Sequence, residues 1–540
     1  MLCCLALAGP VQAAELRTRE GDHGVAYRVT AEQLTPTEAH AARTPLGSVW
    51  KLFVYSYLLA EEVSSSDYVC RGGDPEEVYC CTPGGQIDRD TALIRSCGRY
   101  FAPARLGIDA TAWARFWQHR GGPAWLARLA MMDEATEVDV DSLLDALDTV
   151  PAPVRERAGL TLLGLLDSQA AGDTLRHTGG RLRAKTWTLP TPDGGHRGGA
   201  AGWFANGRPF WLGGRGAGIA VLREAAPALG RYLDGLPAPD ETSCVDVRFF
   251  ARYPIDALVP TEPGQATRGP LRGRYRVRFA NGNQIDITAN GELRAESADG
   301  HPEIIGRLGL NDYVARVIDR EGSATPRAAA RALAVVARSY LLDNARPGAP
   351  CLAIDDSSRY QRVAPRPASA AARAVADWST GLALSGTPVN FHHDQAAPGV
   401  LSWTDAVAQA RQGQAFDQIL RIPFPTASLG GRAGSVEQCK ATPEASRWLG
   451  GRVRRWRAQL MTQAGYVEPM PLPTLCLTHA SRPFADRARN RIYIRGWSRT
   501  EDRVAIAHEY LHLAFDGHPT AGDEDRIEAL ARQLILSAAP

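Results

Sequence analysis

The chain has 540 residues, is 44% hydrophobic and 22% charged, and carries a formal net charge of +2. That length holds about three or four domains, and an ordinary composition with balanced charge excludes a nucleic-acid partner recruited by a basic surface. Past the N-terminus, no stretch is long and apolar enough to cross a membrane.

Residues 1–14 are apolar and run through Val11-Gln12-Ala13, a small-residue cleavage pattern that reads as the remnant of a secretory signal peptide whose basic start is missing. The expected compartment is the periplasm. Cys3 and Cys4 leave with that segment, and eight cysteines remain: Cys70, Cys80, Cys81, Cys97, Cys244, Cys351, Cys439 and Cys476. An even count in an exported chain favours disulfides. Cys70 with Cys80 or Cys81, and Cys97, are close enough for local bridges, while the connectivity stays open.

Residues 15–240 form the first expected domain. In Thr44-Pro45-Leu46-Gly47-Ser48-Val49-Trp50-Lys51, Ser48 opens a helix after a Pro/Gly turn, and Lys51 follows one turn later on the same face. A neutral lysine there can take the serine proton as the hydroxyl attacks a carbonyl. Arg95-Ser96-Cys97-Gly98 follows a helical stretch. Lys185-Thr186-Trp187 lies on a strand that turns back through Ala201-Gly202-Trp203-Phe204. In this order the three motifs resemble the Ser-x-x-Lys, Ser-x-Asn and Lys-Thr-Gly motifs of penicillin-binding proteins and serine β-lactamases. The resemblance implies an α/β transpeptidase fold that binds D-Ala-D-Ala-type peptides and forms an acyl-enzyme. By position, Ser48 is the nucleophile, Lys51 its base and Ser96 the second hydroxyl of the proton relay. Lys185 and Thr186 would hold the substrate carboxylate. Gly98 departs from the motif's Asn, and Trp187 from its Gly, which leaves room for substrate.

Residues 241–430 form the second. Tyr275 to Phe279 and Gln284 to Thr288 alternate polar and apolar residues around Asn281-Gly282-Asn283, a hairpin signal. Tyr313-Val314, Glu321, Pro326 and an Ala-rich helix from Arg327 to Leu342, ending Ala337-Arg338-Ser339-Tyr340, follow. Together with Ile354 to Gln361 and Val389 to His393, this run resembles the sporulation stage II protein D and amidase-enhancer family, which cleaves peptidoglycan glycan strands. The match implies that Glu321 is the general acid/base of a lytic transglycosylase, for which one carboxylate suffices. Gly322-Ser323 departs from the family pattern after that Glu. Cys351 with His392 or His393 fits a structural zinc as in some relatives, with a disulfide as the alternative.

Residues 431–540 form the third. Trp448 to Met461 reads as a basic amphipathic helix, either a solvated face or a glycan-binding strip. Arg491 to Arg495 reads as an edge strand suited to aligning a substrate backbone. Then comes His508-Glu509-Tyr510-Leu511-His512. Histidines four apart on a helix project from one face, and Glu509 sits where zinc peptidases carry the carboxylate that deprotonates metal-bound water. This resembles the His-Glu-x-x-His motif and implies Zn2+ on His508, His512 and His518, with Asp523, Glu524 and Glu528 as competing third ligands. Phe515 stands where the metzincin pattern has Gly. Ile527 to Leu536 supplies a closing helix.

The expectation is therefore multidomain: a transpeptidase-like α/β domain, a stage II protein D-like α+β domain and a small, mainly helical zincin-like domain. The module order resembles a bacterial envelope family associated with alpha-2-macroglobulin-like proteins. The implied function is an exported, peptidoglycan-associated hydrolase that engages muropeptides. The alternative is a non-catalytic envelope scaffold built from the same folds.

Overall fold

A computed structural model describes residues 14–536 except 22, 64, 239–242, 299–300, 347–349, 358–360, 386–388, 432–439, 478–482, 487–489 and 516–517. The cleavage pattern at Val11 to Ala13 and Cys439 lie outside those residues.

The first unit is built on strands β1 (Ala14–Glu20), β2 (His23–Val29), β3 (Leu34–Thr37), β4 (Leu182–Pro190), β5 (His196–Phe204) and β6 (Pro209–Arg215). Their spatial order is β3-β2-β1-β6-β5-β4, with every neighbour antiparallel. Inserted between β3 and β4 are helices α1 (Trp50–Ala60), α2 (Arg89–Arg95) and α3 (Ala152–Leu166), and α4 (Gly218–Asp234) follows β6. Helix α1 is apolar around its whole circumference, as a helix must be when packed on every side. Leu52, Phe53, Val54, Tyr55 and Leu58 are all fully buried. Two disulfides, Cys70–Cys81 and Cys80–Cys97, cross-link the loop that leads into and past α2.

The second unit holds β7 (Cys244–Phe249), β8 (Ile255–Pro260), β9 (Gly269–Phe279), β10 (Gln284–Ala298), β11 (His301–Gly309) and β12 (Leu352–Asp355). Their order is β8-β9-β10-β11-β7-β12. The expected hairpin is β9–β10: Phe279 N–H donates to Asn283 O at 2.9 Å, and Gly282 has φ +86°, which a glycine adopts without steric cost. Helices α5 (Leu310–Glu321), α6 (Arg327–Asn344) and α7 (Ala370–Trp378) pack beside the sheet. The alanines of α6 are buried, which brings its neighbours close. Cys351 bonds Cys244, so the zinc alternative for that thiol is corrected: the pair instead staples β7 to its parallel neighbour β12.

The two sheets are distinct, yet one apolar cluster runs from Leu16 to Leu429 across both. A strand at Ser428–Gly431 lies on α3. There a Cβ on Gly431 would come 2.1 Å from Leu160 O, and Leu429 N–H donates to Asp167 Oδ2 at 3.2 Å. Arg176 forks onto both carboxylate oxygens of Asp417 at 2.7 and 2.9 Å.

The third unit has its own core. It contains α8 (Pro443–Leu460), β13 (Lys440–Ala441), β14 (Thr474–Leu477), β15 (Phe484–Asp486), β16 (Arg491–Ile494), α9 (Thr500–Ala514) and α10 (Glu524–Leu536). The expectation of a mainly helical domain needs amending, because a mixed sheet in the order β13-β14-β16-β15 underlies the helices. The expected edge strand is also corrected. β16 is interior, parallel to β14 and antiparallel to β15, so its backbone groups are spent on neighbours. Trp456 on α8 is buried, with its indole N–H on Leu534 O, and belongs to the core, not to a glycan strip.

Candidate active sites

Gly47 has φ +46° in a single tight turn, Gly47–Val49, that presents Ser48 at the entrance to α1. One turn on, Lys51 Nζ donates to Ser48 Oγ at 3.0 Å and to Ser96 O at 2.9 Å, with Ser96 Oγ at 3.4 Å. From the opposite side Lys185 Nζ donates to Ser96 Oγ at 2.9 Å. The four groups thus form a continuous chain, Ser48–Lys51–Ser96–Lys185. Ser96 caps α2 in the left-handed region, φ +70°, and its neighbour Cys97 is tied to Cys80. That disulfide was not assigned from sequence, although a Cys inside the second motif was its signal. Lys185 is 1% exposed, and burial first, then the nearby Lys51, pushes its amine well below the usual lysine range.

Thr186, next on β4, is half-buried and pairs with Ala200. The two departures also lie at this site. A Cβ on Gly98 would sit 3.6 Å from Lys51 Cε, an ordinary contact, so the position has room for a side chain and lacks only the amide. Trp187 is 1% exposed, and a Cβ on Gly47 would lie 2.6 Å from Trp187 Cβ. The indole therefore abuts the turn that carries the nucleophile.

Glu321 ends α5. Its Oε1 accepts from Arg362 N–H at 2.8 Å, and its backbone carbonyl lies 3.4 Å from His393 Nδ1. Burial raises its carboxyl above the usual range. The Arg362 N–H and the charges of Arg362 and Arg320 oppose that shift, and Asp356 adds to it. Asp356, which sequence reasoning did not single out, accepts from Val363 N–H at 2.9 Å and Phe250 N–H at 3.4 Å. The backbone N–H groups of two successive residues, Arg362 and Val363, thereby anchor the two carboxylates. Tyr313 OH donates to Gln361 Oε1 at 2.7 Å, next to that segment in the chain.

On α9, His508 and His512 point toward each other with Nε2 atoms 3.0 Å apart. His508 Nδ1 lies 3.0 Å from Glu528 Oε2, whose other oxygen accepts from Arg532 at 2.7 Å; His512 Nδ1 lies 3.0 Å from Ala521 O. A carbonyl only accepts, so His512 carries its proton on Nδ1, and a carboxylate favours the same tautomer for His508. Both Nε2 lone pairs then converge, an arrangement that fits a shared cation and matches how metal-binding histidines are held from behind. Glu509 is half-buried on the same helix.

His518 does not join the pair. Its Nδ1 contacts Thr520 Oγ1 at 3.0 Å, and its ring lies against Gly465. Asp523 caps the next helix through Arg526 N–H, Glu528 is engaged with Nδ1 of His508, and the Glu524 side chain lies outside the described ones. Among the described residues, no group of three His, Cys, Asp or Glu side chains forms a metal centre.

Residues 72–193 and 399–520 match the family model described as Predicted secreted protein (DUF2300), and residues 298–380 match Stage II sporulation protein (SpoIID). The latter region contains Glu321 and Asp356. Among solved structures, a β-lactamase from Burkholderia ambifaria has 14% identity, covers 42% of this chain and 95% of its own, and aligns with a TM-score of 0.26. One from Desulfarculus baarsii has 15% identity, covers 42% of this chain and 92% of its own, and scores 0.26. "Uncharacterized protein YfaQ" of Escherichia coli (strain K12) is 41% identical over 530 residues, 97% of this chain and 95% of the relative. With that identity along nearly the whole of both chains, this protein belongs to the family of YfaQ, and its match to a secreted-protein model marks it as exported.

Proposed function

We propose that the protein is an exported enzyme of the peptidoglycan layer that cleaves an acyl bond through Ser48. The observation that carries this reading is the unbroken hydrogen-bond chain Ser48–Lys51–Ser96–Lys185. Lys51 accepts the Ser48 proton as the hydroxyl attacks the carbonyl. Ser96, touching both lysines, relays a proton to the leaving group. Burial of Lys185 keeps the relay from crowding two full charges around one hydroxyl. What supports the polymer is the matched sporulation-protein region, whose resemblance implies glycan cleavage at Glu321. There a carboxyl kept protonated by burial gives its proton to the glycosidic oxygen, then takes one from the sugar's own hydroxyl.

For the third unit we propose Zn2+ held by His508 and His512, with Glu528 and Ala521 O orienting the rings and Glu509 accepting a proton. When bound, the metal lowers the pKa of a water and polarises a carbonyl. Muropeptides are the proposed ligands. An alpha-2-macroglobulin-like envelope protein is the proposed partner, on module order alone.

The test is intact mass after incubation with muropeptides or a fluorescent penicillin. A covalent adduct that maps to Ser48 and vanishes in Ser48→Ala is expected, and its absence with every acyl donor removes the acyl-transfer reading. Trp187 and Gly98 favour a second reading, a scaffold that binds peptidoglycan without turnover.

A further inference from the structure

We infer that the Ser48 cleft takes acyl donors that are neutral beside the scissile bond, an ester or an internal peptide linkage, and turns away peptides that end there in a free carboxylate. The inference rests on the acyl-transfer reading and specifies its substrate class.

Residues two apart on a strand share a face, so Trp187 projects from β4 on the same side as Lys185. The space beside Lys185 where a terminal carboxylate would lie is taken by the indole, which is 1% exposed and packed against the Gly47 turn. Lys185 itself is also 1% exposed, and its amine is committed to Ser96 Oγ at 2.9 Å. Burial further biases it toward the uncharged form. Arg197 lies over the Trp187 ring and donates to Arg43 O. A carboxylate entering here would lose its water against a buried amine already committed to Ser96, with Arg197 held to Arg43 O across the ring, a loss that neutral groups avoid. The Trp187 indole N–H has no hydrogen-bond partner among the described residues, so packing and the Arg197 guanidinium over the ring, not a hydrogen bond, hold it in place. A smaller residue therefore opens the cleft.

In the reaction, the Ser48 Oγ–acyl bond forms and the bond to the leaving group breaks. The serine proton passes through Lys51 to the departing atom, and water then cleaves the acyl-serine and restores the hydroxyl proton.

The test uses the full chain and two matched acyl-D-alanyl thioesters whose leaving thiol carries either a free carboxylate or its methyl ester. The wild type should release thiol from the neutral ester about tenfold faster or more, and Ser48→Ala should release none above background. Trp187→Gly should raise the rate on the carboxylate form by a similar factor, while Trp187→Phe, which keeps a ring, should preserve the wild-type ratio. A wild-type preference for the carboxylate form overturns the inference, as does a ratio unmoved in a folded Trp187→Gly. If neither thioester leaves an adduct on Ser48 in any variant, the acyl-transfer reading falls and the inference with it.

Discussion

The Nε2 atoms of His508 and His512 stand 3.0 Å apart, each ring held from behind, by Glu528 and by the Ala521 carbonyl. Purified protein is expected to carry zinc that His508→Ala and His512→Ala each abolish. Glu528→Gln should keep the stoichiometry but weaken affinity about 10- to 100-fold, as loss of an orienting partner does. Chelator competition measures this. A wild type that binds no zinc sinks the metal proposal, and one whose zinc disappears outright in Glu528→Gln makes that Glu a ligand.

Glu321 should cleave only while it holds its proton. Its raised carboxyl extends that range upward, so glycan cleavage is expected to fall as pH rises through the shifted value, above the ordinary Glu figure of about 4.3. Sacculi digested by the wild type should yield 1,6-anhydro products, and Glu321→Gln should yield none. Products that persist in that variant would assign the chemistry elsewhere.

Lys185 carries a stability cost that depends on pH. Its folded amine is depressed, so its contribution is fully present above the unfolded value of about 10.4 and is lost as pH falls toward the folded value. Lys185→Met, which has no charge to bury, should therefore gain in Tm relative to the wild type as pH drops from about 10 toward neutrality, while acylation at Ser48 is lost. A Tm difference independent of pH contradicts the assignment.

The contact between Gly431 and Leu160 leaves no space for a methyl group, because the obstructing atom is backbone. Gly431→Ala should cost about 1–3 kcal/mol. The first and second units should respond together, giving one shifted thermal transition for both. Two transitions, only one of them displaced, would show that the cores are separable.

Cys244 and Cys351 close a loop with a sequence separation of 107. Replacing both with Ser should remove about 2–5 kcal/mol of stability, visible as a lower denaturant midpoint under oxidising conditions. Reduction should bring the wild type down to meet the variant, apart from the effect of the other bridges.

What the sequence disclosed is what one helical turn or one hairpin determines. Ser48 with Lys51 and His508 with His512 are local pairs, so spacing alone placed each on a common face. Asn281-Gly282-Asn283 likewise announced its turn. What stayed hidden depends on distant chain. Lys185 reaches Ser96 across 89 positions, and only the motif resemblance hinted at it. Asp356 matters because adjacent backbone N–H groups at 362 and 363 hold it and Glu321, which no property of its own neighbours signals. Arg491 to Arg495 looked like an edge strand because nothing in those five residues reveals that the short β15 pairs outside it. His518 has a metal ligand's spacing, yet Thr520 and the open side of Gly465 claim its ring.

The close approach of Gly431 to Leu160 on α3 has a geometric corollary. One apolar cluster runs through the sheets of both units, so the units that carry Ser48 and Glu321 share a core. If both sites act as proposed, a fragment that engages the two must span a gap set by the protein.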